Sequence, residues 1–453
     1  MKTKYIYICN NCNYKSTKWL GKCPECNNWN TFEENENKKI ETFNKRKTAS
    51  RLYDIKINNS DRIITKIEEF NRITGGGIVK DSIIIITSPP GGGKSTLTLT
   101  IANDIAYQGM KVIYATGEES ESQIRSRADR ILNNIEKNLW IISDTNMNSV
   151  IDSVNEIKPD FIVIDSIQTF YLEEFLPARA GNPTQTMECA NELVQIAKSN
   201  IKPCAIIIIG QMNKNDEIAG LRSLEHLVDA VFIMEGDNET QLRTITSTKN
   251  RFGSTGEMGF FSMTEKGLIS IDNPSEFFVT QREKDEYVAG NAITVIKEGS
   301  RPIIAEIESL VSNSFTPYPS RICEAIKREQ LNTVISILEQ RGGIDLFNKN
   351  VVIKTTGGIK FKEPSVNLAI IISIASSVYN KPVPSYYAFI ADVGLTGELK
   401  KVPNIESRIK ELNRMGFKKI FIAKSNKSYK SLSNNIEILE FKNLKELLKY
   451  IFK

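Results

Sequence analysis

The most constraining feature of the sequence is the stretch SPPGGGKST, residues 88–96, which joins two segments of different character. Before it, SIIIIT (82–87) is apolar at nearly every position, as in a strand that is covered on both faces of a sheet. After it, residues 95–108 have the pattern of a helix. A strand, a glycine-rich loop and a helix in this order favour a phosphate-binding loop, because bare N–H groups and the helix N-terminus can surround a phosphate. The chain is therefore expected to fold around an α/β core.

The loop predicts a site for ATP and Mg²⁺. Its backbone N–H groups wrap the phosphates, the Lys94 amine reaches the β- and γ-phosphate oxygens, and the Ser95 hydroxyl contacts the Mg²⁺. Ser88 stands where the usual pattern has glycine, and the three glycines nearby make this change tolerable with a slightly different loop geometry. The predicted nucleotide-binding residues are Gly91, Gly92, Gly93, Lys94, Ser95 and Thr96.

Five more apolar runs follow, at residues 111–116, 139–143, 161–166, 204–210 and 230–235. Segments with helical patterns, such as 186–199, lie between them and can act as crossovers. This alternation predicts a doubly wound α/β domain over residues 60–272. After residue 275 the strands alternate more loosely, and residues 275–453 are expected to form a second α/β domain.

Polar residues follow three of these apolar runs, at the carboxyl edge of the expected sheet. Asp165 ends FIVID and is the predicted second holder of Mg²⁺. In TGEES (116–120), Glu118 is the predicted base for the attacking water, with Glu119 as the reserve and a plain solvated face as the alternative. Gln211 is positioned to sense the γ-phosphate, although a polar residue at a strand end is a weak signal.

Four cysteines near the N-terminus form two C-x-x-C pairs, a spacing typical of a closed structural zinc site. Trp19 and Trp29 are expected to pack over its small core. This zinc module spans residues 1–32, and the polar segment 33–59 is expected to be a linker. The predicted zinc ligands are Cys9, Cys12, Cys23 and Cys26.

Composition excludes several classes of protein. The longest apolar run, residues 368–378, is shorter than a membrane span and is predicted to be a buried helix. The N-terminus lacks the apolar segment of a signal peptide, so a cytoplasmic protein without a membrane partner is expected. The net charge of +5 is compatible with nucleic acid but is a weak argument for it. A single histidine excludes Ser–His–Asp hydrolysis and sites with several histidine ligands.

The order of these motifs resembles the bacterial RadA family, also called Sms. The resemblance is carried by KWLGKCPEC, the phosphate loop, TGEES, FIVIDSIQT, IAGLRSLEHLVDAV, TKNRFGSTGEMGFF and ADVGLTGELKKV. It implies a RecA-like P-loop ATPase core between the zinc module and a Lon-protease-like α/β domain. It also implies hexameric rings that promote branch migration of recombination intermediates on single-stranded and branched DNA, with a RecA-type recombinase as partner.

The KNRFG motif (249–253) adds two candidate catalytic residues. In the related ring helicases of the DnaB type, a K-x-R-x-G hairpin reaches the γ-phosphate of the neighbouring subunit, and Lys249 and Arg251 match that pair. The alternative is that both cations bind a DNA phosphate or cap a turn. In the segment where RecA-like proteins carry a DNA-facing loop, Lys214 and Arg222 are candidate phosphate contacts, with a plain solvated loop as the alternative.

The resemblance also raises an alternative function, a Lon-type serine protease. Ser365 occupies the position of the Lon nucleophile, and Glu406 is expected where the catalytic lysine would stand, with several lysines nearby. A glutamate there would not activate the serine as a desolvated lysine does, so a non-proteolytic scaffold is expected. A third interpretation is an adaptor that hydrolyses ATP slowly and recruits partners through its zinc module. The nearby lysines are Lys400, Lys401 and Lys410.

Overall fold

The computed structural model describes residues 5–12, 14–16, 18–36, 51–54, 62–199, 201–211, 224–236, 241–280, 282, 288–425, 429 and 436–453. Over these ranges the chain forms three main β-sheets in succession along the sequence. None of the helices in the described ranges is both long enough and apolar enough to span a lipid bilayer.

The N-terminal module is a three-stranded antiparallel sheet in the order β2-β1-β3. Its small core is built from Cys9, Cys23 and Phe32. The expectation that two tryptophans cover this core is wrong, because the side chains of Trp19 and Trp29 are 54% and 70% exposed. Phe32 fills the space they were expected to fill. The strands are β1 (Tyr5–Cys9), β2 (Lys15–Ser16) and β3 (Phe32–Glu36).

The second sheet has nine strands in the order β14-β13-β12-β11-β6-β10-β9-β7-β8. A separate two-stranded ribbon, β4 with β5, precedes it. The strands are β4 (Arg62–Ile63), β5 (Ile78–Val79), β6 (Ile83–Ser88), β7 (Val112–Thr116), β8 (Leu139–Ser143), β9 (Phe161–Asp165), β10 (Ala205–Gln211), β11 (Ala230–Gly236), β12 (Leu242–Asn250), β13 (Met258–Thr264) and β14 (Gly267–Ser270). The helices are α1 (Glu68–Ile73), α2 (Lys94–Tyr107), α3 (Glu121–Ile131), α4 (Met147–Ile157), α5 (Pro183–Ala197) and α6 (Pro274–Phe277).

The six strands from β11 to β8 are parallel, which confirms the α/β core that the apolar runs predict. Two apolar clusters cover the two faces of this sheet, so β6, β7 and β9 are buried at every position. β8 is only half-buried because it is the edge strand and has one neighbour. β12 to β14 extend the other edge in antiparallel fashion.

The third sheet has seven strands in the order β17-β18-β16-β15-β19-β22-β23, with a small β20–β21 ribbon beside it. The predicted apolar helix at 368–378 is α8, and its residues 368–376 are buried. The strands are β15 (Asn291–Glu298), β16 (Arg301–Asn313), β17 (Arg321–Cys323), β18 (Lys349–Thr355), β19 (Tyr387–Ile390), β20 (Asp392–Val393), β21 (Leu399–Lys400), β22 (Lys419–Ala423) and β23 (Glu437–Phe441). The helices are α7 (Arg328–Ile337), α8 (Asn367–Tyr379), α9 (Ile405–Arg414) and α10 (Leu444–Phe452).

Candidate active site and metal centre

Positions 91–93 of the loop between β6 and α2 require glycine. Gly91 and Gly93 have φ angles of 79° and 100°, in the left-handed region that favours glycine. A Cβ on Gly92 would lie 2.4 Å from the Ser88 Oγ. The loop therefore presents bare backbone at the N-terminus of α2, where Ser95 and Thr96 begin the first helical turn.

The Lys94 amine folds back onto the loop. It donates hydrogen bonds to the Ser88 Oγ at 2.8 Å, to the Ser88 carbonyl at 2.9 Å and to the Pro89 carbonyl at 3.4 Å. Burial lowers the pKa of Lys94, and the nearby carboxylates of Asp165 and Glu118 partly oppose that shift. The serine in place of the usual glycine thus gives this lysine an additional acceptor.

Asp165 lies at the end of β9 and is buried. One strand, β10, separates β9 from the strand that leads into the phosphate loop. The Tyr114 hydroxyl in β7 donates a hydrogen bond of 2.7 Å to the Asp165 Oδ2. Burial raises the pKa of Tyr114 well above its ordinary value, and the Asp165 charge adds to this, so the hydroxyl remains a donor. Sequence reasoning missed Tyr114, although a tyrosine among aliphatic strand residues needs a polar partner when buried.

The two glutamates after β7 have different surroundings. The Glu118 Oε1 accepts hydrogen bonds from the Ser166 hydroxyl at 2.5 Å and from the Gln211 side-chain amide at 2.9 Å. Glu119 forms an ion pair with Arg127 of α3. Glu118 therefore belongs to a cluster that spans the ends of three strands, whereas Glu119 is paired with an arginine of the helix that follows it.

Lys249 and Arg251 lie at the opposite edge of the sheet. Asn250 pairs with Ala230, and Ala230 pairs with Ile84 near the beginning of β6, whereas the phosphate loop follows the end of β6. At about 3.3 Å per residue, this separates the hairpin from its own phosphate loop by roughly 16 Å along the strand. The structure does not bring these two cations to Lys94.

Both cations have contacts of their own at that edge. The Lys249 amine donates to the Glu225 carbonyl at 2.5 Å. Arg251 forms an ion pair of 3.1 Å with buried Asp229, while its own side chain is 55% exposed. The other two candidate cations, Lys214 and Arg222, lie outside the described residues.

The four predicted zinc ligands converge. Their Sγ atoms all lie within 4.8 Å of one another, with Cys9–Cys26 at 3.6 Å and Cys12–Cys23 at 3.5 Å. Sulfurs that share a tetrahedral Zn²⁺ at 2.3 Å are about 3.8 Å apart, so these separations fit the ion.

The pKa values of these thiols are also consistent with a site that binds a cation. A hydrogen bond with Thr31 is the main cause that lowers the pKa of Cys9 to about 6. The backbone N–H of Tyr14 lowers the pKa of Cys12, but burial and hydrogen bonds with the other three thiols raise it more, to about 12. Four thiols at this distance resist losing all their protons unless a positive ion offsets the charge.

Comparison with known proteins agrees with this arrangement. Residues 7–34 match the family described as rubredoxin metal binding domain, residues 48–217 match the AAA domain, and residues 322–426 match subunit ChlI of Mg-chelatase. The DNA repair protein RadA of Bacillus subtilis (strain 168) is 40% identical over 461 residues, which cover 99% of this chain and 98% of the relative. The same-named protein of Listeria monocytogenes serovar 1/2a is 38% identical over 449 residues, 98% of this chain and 97% of the relative.

The chain belongs to the RadA family of DNA repair proteins. The family resemblance inferred from the motifs is therefore confirmed. The AAA match covers the phosphate loop, Glu118 and Asp165, so the chain has an ATPase domain of this type. The match to a rubredoxin metal binding domain covers all four cysteines, which supports a zinc-type site.

Within the described residues of the C-terminal domain, this RadA family member pairs Ser365 with an arginine and not with a lysine. Buried Ser365 accepts a hydrogen bond of 3.2 Å from Arg408, so Arg408, and not Glu406 as expected, occupies the place of the dyad lysine. Arg408 is fully buried and forms two hydrogen bonds of 2.7 Å with Glu363. An arginine stays protonated and cannot act as a base. The protease alternative is therefore not supported.

Helix geometry explains the error about Glu406. Positions 408, 409 and 412 of α9 are buried, at the i, i+1 and i+4 spacing of one helix face, whereas Glu406 and Lys410 are exposed on the other side. Lys400 and Lys401 are also exposed and do not reach Ser365. An arginine two residues after the glutamate carried no signal in the sequence that would have identified it.

Proposed function

We propose that the protein is an ATP-driven motor that acts on DNA during repair by homologous recombination and promotes branch migration as a hexameric ring, like the rings of the related helicases. The name shared by the relatives, DNA repair protein RadA, supports the role in repair. The AAA domain supports the use of ATP. Single-stranded and branched DNA, and a RecA-type recombinase, are the proposed partners, and the cytoplasm is the proposed location.

Nucleotide binding follows from the phosphate loop. The N–H groups of Gly91, Gly92, Gly93 and the first turn of α2 hold the β-phosphate, and Lys94 leaves Ser88 to bind the β- and γ-phosphates. Ser95 and Asp165 hold the Mg²⁺, which offsets the charge of the phosphates.

Hydrolysis is assigned to Glu118. Its Oε1 accepts two hydrogen bonds, and its Oε2 has no hydrogen-bond partner among the described residues, so this oxygen can orient and deprotonate a water molecule. The Gln211 side-chain amide donates a hydrogen bond to Glu118. Because Gln211 ends β10, we assign it the role of sensing the γ-phosphate. Glu119 is a poorer candidate because Arg127 neutralises it.

The position of the KNRFG hairpin is the observation that carries the proposal. Arg251 and Lys249 lie roughly 16 Å away from their own phosphate loop, measured along β6, so they cannot serve the nucleotide of their own subunit. The Arg251 side chain is 55% exposed, so a second copy of the chain can contact it. We assign it to the γ-phosphate in the neighbouring subunit, which makes ATP turnover depend on a formed interface.

The test is a mixing experiment on the DNA-stimulated ATPase rate. Arg251→Ala and Lys94→Ala, each alone, should lose about 10³-fold or more, because one lacks the cation in trans and the other the phosphate-binding lysine. In a random equimolar ring, about one quarter of the interfaces join an intact phosphate loop to an intact arginine. The mixture should therefore recover about a quarter of the original rate.

Arg414→Ala is the matched control. Its side chain is 53% exposed and forms a salt bridge, as Arg251 does, but it lies on α9 of the C-terminal domain, where its partners are Glu411 and Asn273. It should keep the full rate. If the ATPase rate of the mixture never exceeds the sum of the rates of the two variants, the arrangement in trans is ruled out. Full ATPase activity of a monomer without DNA would contradict the motor, and a slow rate that single-stranded DNA does not raise would favour the adaptor.

A further inference from the structure

The zinc module exposes an aromatic face that its own fold does not use. The six-membered rings of Trp19 and Trp29 both lie within 4 Å of the point where a Cβ on Gly21 would stand. Gly21 does not have a positive φ, so its backbone does not require glycine. With no side chain at position 21, the two rings flank an open gap on one face of the module.

This face is held in place by the backbone. Lys22 and Trp29 form an antiparallel bridge, and the Asn30 N–H donates to the Gly21 carbonyl at 2.9 Å. The two tryptophans are thus fixed beside each other by the hairpin that also carries Cys23 and Cys26. Zinc binding and the position of the rings are linked through the same backbone.

The charge beside the rings is positive. The Lys22 amine lies 5.8 Å from the centre of the Trp29 ring, and Lys18 next to Trp19 is exposed. Within the described part of residues 5–36, the large apolar side chains that are exposed are all aromatic: Tyr14, Trp19 and Trp29. Aromatic rings with neighbouring cations and without exposed aliphatic side chains suit planar bases on a phosphate backbone better than an aliphatic protein surface.

From this geometry we propose that the face formed by Trp19, Gly21 and Trp29 stacks the unpaired bases of a single-stranded nucleic acid, with Lys22 beside the backbone phosphate. Every base has a π-face, so the contact would not depend on sequence. The site is separate from the nucleotide site and the KNRFG hairpin. It gives the zinc module a ligand class of its own, single-stranded DNA in the setting of the proposed function.

The chain itself provides an optical test. Of its three tryptophans, two form this face and the third, Trp140, is half-buried in β8. In the zinc-loaded full-length Trp140→Phe protein, a 20-nucleotide oligo-dT should quench most of the tryptophan fluorescence. A duplex of the same length should quench much less. An oligo-U arm shows whether RNA is bound in the same way.

The affinity for oligo-dT should depend on the two tryptophan rings. The double variant Trp19→Ala/Trp29→Ala should weaken oligo-dT affinity about 5- to 150-fold, from the typical contribution of one stacked base. The double Trp→Phe variant should restore most of the loss, and Gly21→Val should lower affinity by filling the gap. Phe315→Ala, which removes an aromatic side chain that is 99% exposed in the C-terminal domain, is the matched control and should change nothing.

Zinc content measured for each variant separates a lost binding face from a lost fold. If oligo-dT leaves the fluorescence of the Trp140→Phe protein unchanged and the zinc-loaded double Ala variant keeps its affinity, the proposal is overturned and this face is left to a protein partner. The ATPase rate separates this outcome from a failure of the proposed motor. A wild-type protein whose ATPase ignores single-stranded DNA would count against the motor, whatever the fluorescence shows.

Discussion

Ser88 is expected to compete with a bound phosphate for the Lys94 amine. The Ser88 Oγ accepts a 2.8 Å hydrogen bond from this amine, and the bond must break when Lys94 turns toward a phosphate. A hydrogen bond to a charged group contributes about 1.5–3 kcal/mol, or about 10- to 150-fold in Kd. Because water can take the place of the hydroxyl in Ser88→Ala, we expect the lower end. The variant should bind ATP about tenfold more tightly.

The assay is calorimetric titration with a non-hydrolysable ATP analogue and Mg²⁺. Thr87→Val is the matched control, since the Thr87 Oγ1 is buried on the same strand and has no hydrogen-bond partner in the described part of the chain. Its removal should leave Kd unchanged. If Ser88→Ala binds the ATP analogue no more tightly than Thr87→Val, the hydrogen bond from Lys94 to Ser88 does not oppose nucleotide binding, and the reasoning is refuted.

Four more predictions follow from the same contacts. Glu118→Gln should abolish ATP turnover but keep ATP binding, whereas Glu119→Gln should keep most of the rate; equal losses in a steady-state assay would contradict the assignment. Tyr114→Phe should lower the free energy of unfolding by about 1.5–3 kcal/mol in urea titrations, because a buried carboxylate loses its donor. As the pH rises, the affinity for the ATP analogue should begin to decline before the ordinary lysine pKa of 10.5 is reached, since burial lowers the pKa of Lys94 and only the protonated amine binds phosphate. A Kd that stays constant up to that pH would contradict this. Arg408→Ala should lower the free energy of unfolding by about 3–5 kcal/mol, because the half-buried Glu363 carboxylate and the Val295 carbonyl lose their buried donor, and a change under about 1 kcal/mol would show that water replaces it.

Local patterns made much of the fold predictable. The continuous apolar runs identify the parallel strands because such strands are covered on both faces, and β6, β7 and β9 are buried throughout. The glycine-rich loop is equally local, since its geometry depends on residues within one turn. The C-x-x-C pairs predict the metal site for the same reason.

Local patterns also misled where burial decides the outcome. Two tryptophans in a small module suggest a core, yet both are exposed because Phe32 and two cysteines already fill it. A glutamate near the expected lysine position suggested the partner of Ser365, but the helix turns that glutamate outward and Arg408 inward.

By itself the sequence determined the class of fold, the phosphate loop and the four-cysteine site, because each depends on residue spacing along a few turns of chain. Only the tertiary structure decided which distant groups meet. Tyr114 reaches Asp165 across 51 residues, and Gln211 reaches Glu118 across 93. The tertiary structure also put Arg251 at the edge of the sheet opposite its own phosphate loop, since strand direction in the folded sheet, not distance in sequence, fixes which ends adjoin.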